Sequence, residues 1–155
     1  MKLRSCKLFL PLLLAACAGA PSTPVRMISV DTAPKAIGPY SQAVAVNGLV
    51  YTSGSIPRDA AGQVMQGDIQ AQVNRVFDVQ EAVLAGAGCT LKDVVKVTVY
   101  MTDLADFARM NEAYGKRFGE HRPVRSTIQA AKLPAGAALE IDMVAACGSA
   151  AMGGT

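Results

Sequence analysis

Asn47-Gly48 stands between two short apolar runs, Ala43-Val44-Ala45-Val46 and Leu49-Val50-Tyr51-Thr52. Both positions of a two-residue hairpin turn need positive φ, which Asn and Gly adopt at low cost, so the dipeptide predicts an antiparallel hairpin. A sheet is therefore under way early in the chain. The second strand runs out through Ser53 to Gly54, where a missing side chain allows close approach of backbone to a ligand, or else marks a bulge or a turn. Residues 25–30 alternate weakly and read as a first, edge-like strand. The stretch 31–39 is a loop punctuated by Pro34, Gly38 and Pro39.

After a Gly- and Pro-bearing loop over 56–67 the period changes. Asp68 is placed to cap a helix, and Ile69, Val73, Val76, Phe77, Val83, Leu84 and Ala87 recur at helical spacing up to Gly86 and Gly88. The run 94–101 is β-branched, with Val95, Val97, Val99 and Met101 expected on one face. Asp103 is expected to cap a second helix through Phe107, Met110, Asn111, Tyr114 and Phe118, ended by Gly119. Two late strands follow, one entered at Arg125 and one over 139–146. The order is β-β-β-α-β-α-β-β. This predicts an α+β fold with one sheet and both helices on one of its faces. The other face should carry Val, Ile and Met with few charges, so an oligomer packed sheet to sheet is expected, with small sites between subunits.

The N-terminus reads as an address. Lys2, Arg4 and Lys7 precede a short apolar run, and Leu14-Ala15-Ala16-Cys17 resembles a bacterial lipobox whose cysteine is lipidated. The expected organisation is a signal over 1–16, a lipidated Cys17 with a Pro-rich tether to 25, a domain over 26–147, and a flexible tail over 148–155. The location implied is the cell envelope, at the periplasmic face of the outer membrane. A start at Met27 would instead leave a cytoplasmic protein.

The full chain has 15 basic and 12 acidic residues, and the three leader cations account for the whole net charge of +3. The domain is thus formally neutral, has no Trp, and offers neither the basic footprint nor the stacking platforms of a nucleic-acid binder. Cys89 and Cys147 remain as thiols once Cys6 leaves with the signal and Cys17 is lipidated. An oxidising envelope permits them to pair, but two unpaired, partly buried thiols are the expectation from sequence. His121 is the one histidine. No Cys/His spacing resembles a metal site, and a Ser-His-Asp arrangement is excluded unless His121 serves alone.

Arg125 opens a mostly uncharged run, Ser126-Thr127-Ile128-Gln129-Ala130. A guanidinium fork there suits a planar carboxylate. The alternative, favoured by these residues alone, is a structural ion pair with Glu140 or Asp142 across adjacent strands.

Taken together, Ala36-Ile37-Gly38-Pro39-Tyr40-Ser41-Gln42-Ala43, Tyr51-Thr52-Ser53-Gly54-Ser55-Ile56-Pro57, the run 95–104, Asn111-Glu112-Ala113-Tyr114, Pro123-Val124-Arg125-Ser126-Thr127, and Leu133-Pro134 through Glu140-Ile141-Asp142 resemble the Rid family (YjgF/RidA, or endoribonuclease L-PSP). The resemblance implies a homotrimer of chorismate-mutase-like domains with clefts at the subunit interfaces. It implies cofactor-free hydrolysis of 2-enamine and 2-imine acids, of the 2-aminoacrylate type, to 2-keto acids and ammonia. Arg125 would clamp the substrate carboxylate, helped by the Thr127 backbone N–H. Glu140 would place or polarise the water. Tyr40, Ser53, Gly54, Asn111 and Pro134 would line the pocket, some from a neighbouring subunit. The expected partners are small 2-imino and 2-keto carboxylates and two further copies of the chain, with no nucleic acid and no membrane contact beyond the lipid on Cys17. Two other readings stay open: a non-catalytic envelope module binding small carboxylates or a protein, and a ribonuclease or translation inhibitor, against which charge and aromatic content argue. Ser55 departs from the Gln common after the family's Ser-Gly pair. The exported address departs from the cytosolic origin of the family's usual substrates.

Overall fold

The computed structural model describes residues 24–148; Cys17, the leader and the tail beyond Gly148 lie outside them. The Asn47-Gly48 turn has φ of 50° and 77°, the positive values that such a hairpin requires. It joins β2 (Ala43–Val46) to β3 (Leu49–Thr52), and β1 (Arg26–Ile28) adds to the free edge of β2. Helix α1 (Ile69–Gly86) leads to β4 (Val94–Met101), and α2 (Phe107–Phe118) leads to β5 (Val124–Gln129). The last strand, β6 (Leu139–Ala146), returns to the middle. The sheet order is β1-β2-β3-β6-β4-β5. Among the described strands only β4 and β5 are parallel, as a helical crossover between them demands.

Asp68 caps α1 as its position predicts, accepting from the N–H groups of Gln70 and Ala71 at 3.3 Å each. The buried stripe of α1 (Ile69, Val73, Val76, Phe77, Val83, Leu84) packs on β3 and β6. Val97, Val99 and Met101 of β4 join Leu139, Ile141 and Met143 of β6 in the same core. The Phe77 ring meets Tyr114 and Phe118 edge-on, with centroids 5.7 and 5.3 Å away, which fastens α1 to α2.

Four expectations are corrected. Val95 does not share the buried face: it is the extra residue of a bulge, since Val94 pairs with Ala145 and Lys96 with Val144. The bulge turns Val94 inward and leaves Val95 at 44% exposure. Asp103 caps a short 3-10 turn, Leu104–Asp106, which feeds α2; the helix itself begins without a side-chain cap. The open sheet face is less apolar than expected, because the register sets Lys96 beside Val144, Thr98 beside Asp142 and Tyr100 beside Glu140.

Finally, Cys89 and Cys147 are not free thiols. They form a disulfide that ties the end of α1 to the end of β6. Sequence separation gave no sign of this, because proximity comes from β6 running back beside β3 and over α1.

Candidate active site

Five of the expected site residues meet at one end of the sheet. Tyr40, Ser53, Gly54, Pro134 and Glu140 line a cavity of about 430 Å³ that α1 closes with Val79 and Val83. The loop carrying Tyr40 is held by Gln42. Its side-chain oxygen accepts from the Val30 N–H at 2.6 Å and its amide donates to the Pro34 carbonyl at 2.8 Å. The Tyr40 ring is half exposed and its hydroxyl accepts from the Ile37 N–H at 3.3 Å. The Ser53 hydroxyl donates to the Ser41 carbonyl at 2.6 Å, which leaves it to act as an acceptor.

Gly54 has a specific reason to be glycine. A Cβ there would collide with the Glu140 carboxylate, whose Cδ lies 2.8 Å and Cγ 3.0 Å from the position it would take. The missing side chain is what lets the carboxylate lie against the strand. Burial, and then the negative charge of Asp142, hold the Glu140 carboxyl above the ordinary carboxylate range. A desolvated carboxylate of raised basicity is the form a general base takes.

Arg125, Asn111 and Thr127 form a second group elsewhere. The Arg125 guanidinium donates to Asn111 Oδ1 at 2.8 Å and lies over the Tyr114 ring, 4.4 Å from its centroid. Among the described residues it makes no ion pair. The structural pairing with Glu140 or Asp142 is therefore overturned: β5 and β6 are separated by β4. Moreover, Arg125 registers with core-facing Val97 while Glu140 registers with Tyr100, which puts them on opposite faces of the sheet. Thr127 Oγ1 is buried nearby with no hydrogen-bond partner among the described residues. Burial pushes the Tyr114 hydroxyl up, with the Arg125 charge acting against it. His121 is occupied elsewhere, its Nε2 lying 2.6 Å from the Val94 carbonyl that it serves as a donor.

Residues 30–147 match the endoribonuclease L-PSP family. The chain belongs to the YjgF/RidA (L-PSP) family. A RutC family protein of Pyrococcus abyssi is 45% identical over 77% of this chain and 95% of its own length. The human 2-iminobutanoate/2-iminopropanoate deaminase is 41% identical over 77% of this chain and 88% of its own. Among solved structures, Escherichia coli TdcF with bound serine is 40% identical, covers 78% of this chain and 98% of its own, and superposes with a TM-score of 0.74. The one-sheet, two-helix fold is therefore the family's own.

Three residues of this candidate site in the L-PSP chain were not among the expected site residues. Gln42 orders the Tyr40 loop, Tyr114 supplies the platform under Arg125, and Gln80 reaches the back of the Gly54 strand from α1. Gln80 left a sign, since it is a polar residue within the buried stripe of an amphipathic helix. Tyr114 left none, because an aromatic at helical spacing reads as core.

Proposed function

We propose that the protein hydrolyses 2-imino and 2-enamine acids to 2-keto acids and ammonia, in clefts formed between copies of the chain in a homotrimer. The observation that carries this is the split site. Arg125, backed by Asn111 and Tyr114, has no carboxylate paired with it among the described residues. Glu140, desolvated against Gly54, has no cation paired with it among the described residues. Each is half of a site for a small anionic electrophile, and a neighbouring copy would bring the halves together. The names of the human relative and the carboxylate-bearing serine bound to TdcF support the same substrate class.

In the reaction R–C(=NH2⁺)–COO⁻ + H2O gives R–CO–COO⁻ + NH4⁺. Arg125 holds the substrate carboxylate by two parallel hydrogen bonds, with the Thr127 N–H beside it. Water adds to C2 while Glu140 accepts its proton. The resulting carbinolamine collapses as that proton passes to nitrogen: the C–N bond breaks, Glu140 takes the hydroxyl proton to leave the keto group, and the departing ammonia carries that proton away as ammonium. The iminium carbon is already electrophilic, so fixed geometry supplies much of the acceleration, roughly 7 kcal/mol or more in favourable cases.

The envelope address, with a lipid on Cys17, is part of this proposal. The Cys89–Cys147 disulfide supports it, because such bonds persist in oxidising compartments.

The test is release of 2-keto acid from freshly generated 2-iminobutyrate and 2-iminopropionate by protein lacking residues 1–16. Wild type should accelerate release and Arg125→Ala should not. No acceleration by wild type would leave a carboxylate-binding module as the better account.

A further inference from the structure

We propose that Gln80 is a positioning residue for Glu140: from inside the core, its side-chain amide fixes the bulge at Ser53-Gly54-Ser55 against which the Glu140 carboxylate rests. Gln80 lies on the buried side of α1 at 0% exposure, amid Val76, Phe77, Val83 and Leu84, where an apolar side chain would pack without polar cost.

Opposite it the β3–β6 ladder is irregular. Tyr51 pairs with Val144, yet Ser55 pairs with Ile141, so the β3 side carries one residue more than regular pairing allows. The side chain of Thr52 stands in for a backbone partner, accepting from the Met143 N–H at 2.9 Å and donating to the Met143 carbonyl at 3.3 Å. The ladder resumes at Ser55, whose N–H donates to the Ile141 carbonyl at 2.9 Å. Ser53 and Gly54 lie between, out of the ladder.

Gln80 closes this gap. Its amide nitrogen donates to the Ile141 carbonyl at 2.7 Å, and lies 3.1 Å from both the Ser53 carbonyl and the Ser55 hydroxyl. Two N–H groups thus serve three acceptors on two strands, at the residues flanking Gly54 and immediately after Glu140. The side-chain oxygen is buried without a partner. A core position keeps a half-satisfied amide only where its donors do what an apolar residue does not. Here they hold Gly54 at the distance that strips water from Glu140. The titratable groups nearest that carboxylate by register are Asp142 on its own strand and Tyr100 on β4, and Lys35 and Arg58 line the same cavity.

Replacing Gln80 by Leu removes the donors at similar volume. Gly54 then relaxes outward, water reaches Glu140, and its proton affinity falls. The measurement is the ¹³C carboxyl titration of Glu140, identified by loss of its signal in Glu140→Gln, in wild type and Gln80→Leu. A clear downward shift in the folded variant is expected. An unchanged titration with only a lower Tm makes Gln80 structural and overturns the proposal. The wild-type protein offers a second check that needs no variant: the Gln80 side-chain NH2 protons should exchange slowly, and rapid exchange also overturns it.

The consequence for turnover rests on the deaminase reading. There kcat should fall about tenfold or more with the acid limb moving to lower pH, while KM, set by Arg125, changes little. A wild type without deaminase activity would sink that reading alone, since the titration and exchange decide the role of Gln80 independently.

Discussion

At the scale of single residues, the base proposed here, Glu140, would couple stability to chemistry. Burial raises its proton affinity in the folded state, so folding favours the protonated carboxyl. The contribution to stability is full below the ordinary carboxylate pKa and is lost as pH rises through the raised folded value. A functioning base at neutral pH is thus a destabilising group. Glu140→Gln should raise the Tm at pH 7, with the gain shrinking toward pH 4, and should lower kcat by about 10²–10⁴. Thermal scans across pH, set beside steady-state rates, test both halves; a variant that loses activity and stability together would mean that Glu140 serves the fold.

Elements place that residue, and how far they were legible depended on whether the cause was local. The Asn47-Gly48 hairpin, the Asp68 cap and the whole of β6 follow from neighbouring residues, and they stand where the sequence puts them. The bulge at Val95 and the irregular ladder at Ser53-Gly54 do not, because each is set by a partner strand distant in sequence. Gly54 shows the difference. The sequence left it as ligand approach, bulge or turn, and the structure makes it a bulge residue that accommodates a side chain of its own chain. Its φ is not among the positive values, so alanine suits the backbone and only the Cβ intrudes. Gly54→Ala should therefore keep a Tm near wild type while displacing Glu140, with kcat down by about 10²-fold for a displacement near 1 Å. Calorimetry and turnover on one preparation check this. A large loss of Tm would show that the Cβ is met by moving the strand.

Over the whole molecule two long-range links escape any local reading: the Cys89–Cys147 bond and the division of the site between faces. The bond closes a separation of 58 residues, for which the chain-entropy account gives about 4 kcal/mol. The double variant Cys89→Ala/Cys147→Ala should lose about 2–4 kcal/mol in urea unfolding, and reductant should weaken wild type but not the variant. The division of the site follows from register. Arg125 shares the face of Val97 and Glu140 that of Tyr100, whereas one-dimensional spacing had let them pair. If the cleft is composite, each active site takes Arg125 from one copy and Glu140 from the next, and two defective chains can repair each other. Arg125→Ala and Glu140→Gln should each keep about a hundredth of wild-type activity or less alone. Co-refolded in equal amounts, about a quarter of the interfaces of a randomly mixed cyclic trimer carry both intact groups, and a like share of wild-type 2-keto acid release should return. Mixing the two proteins without subunit exchange should return none. If both groups served a cleft within one chain, the co-refolded sample would stay at that low level as well, because every chain in it lacks one of them.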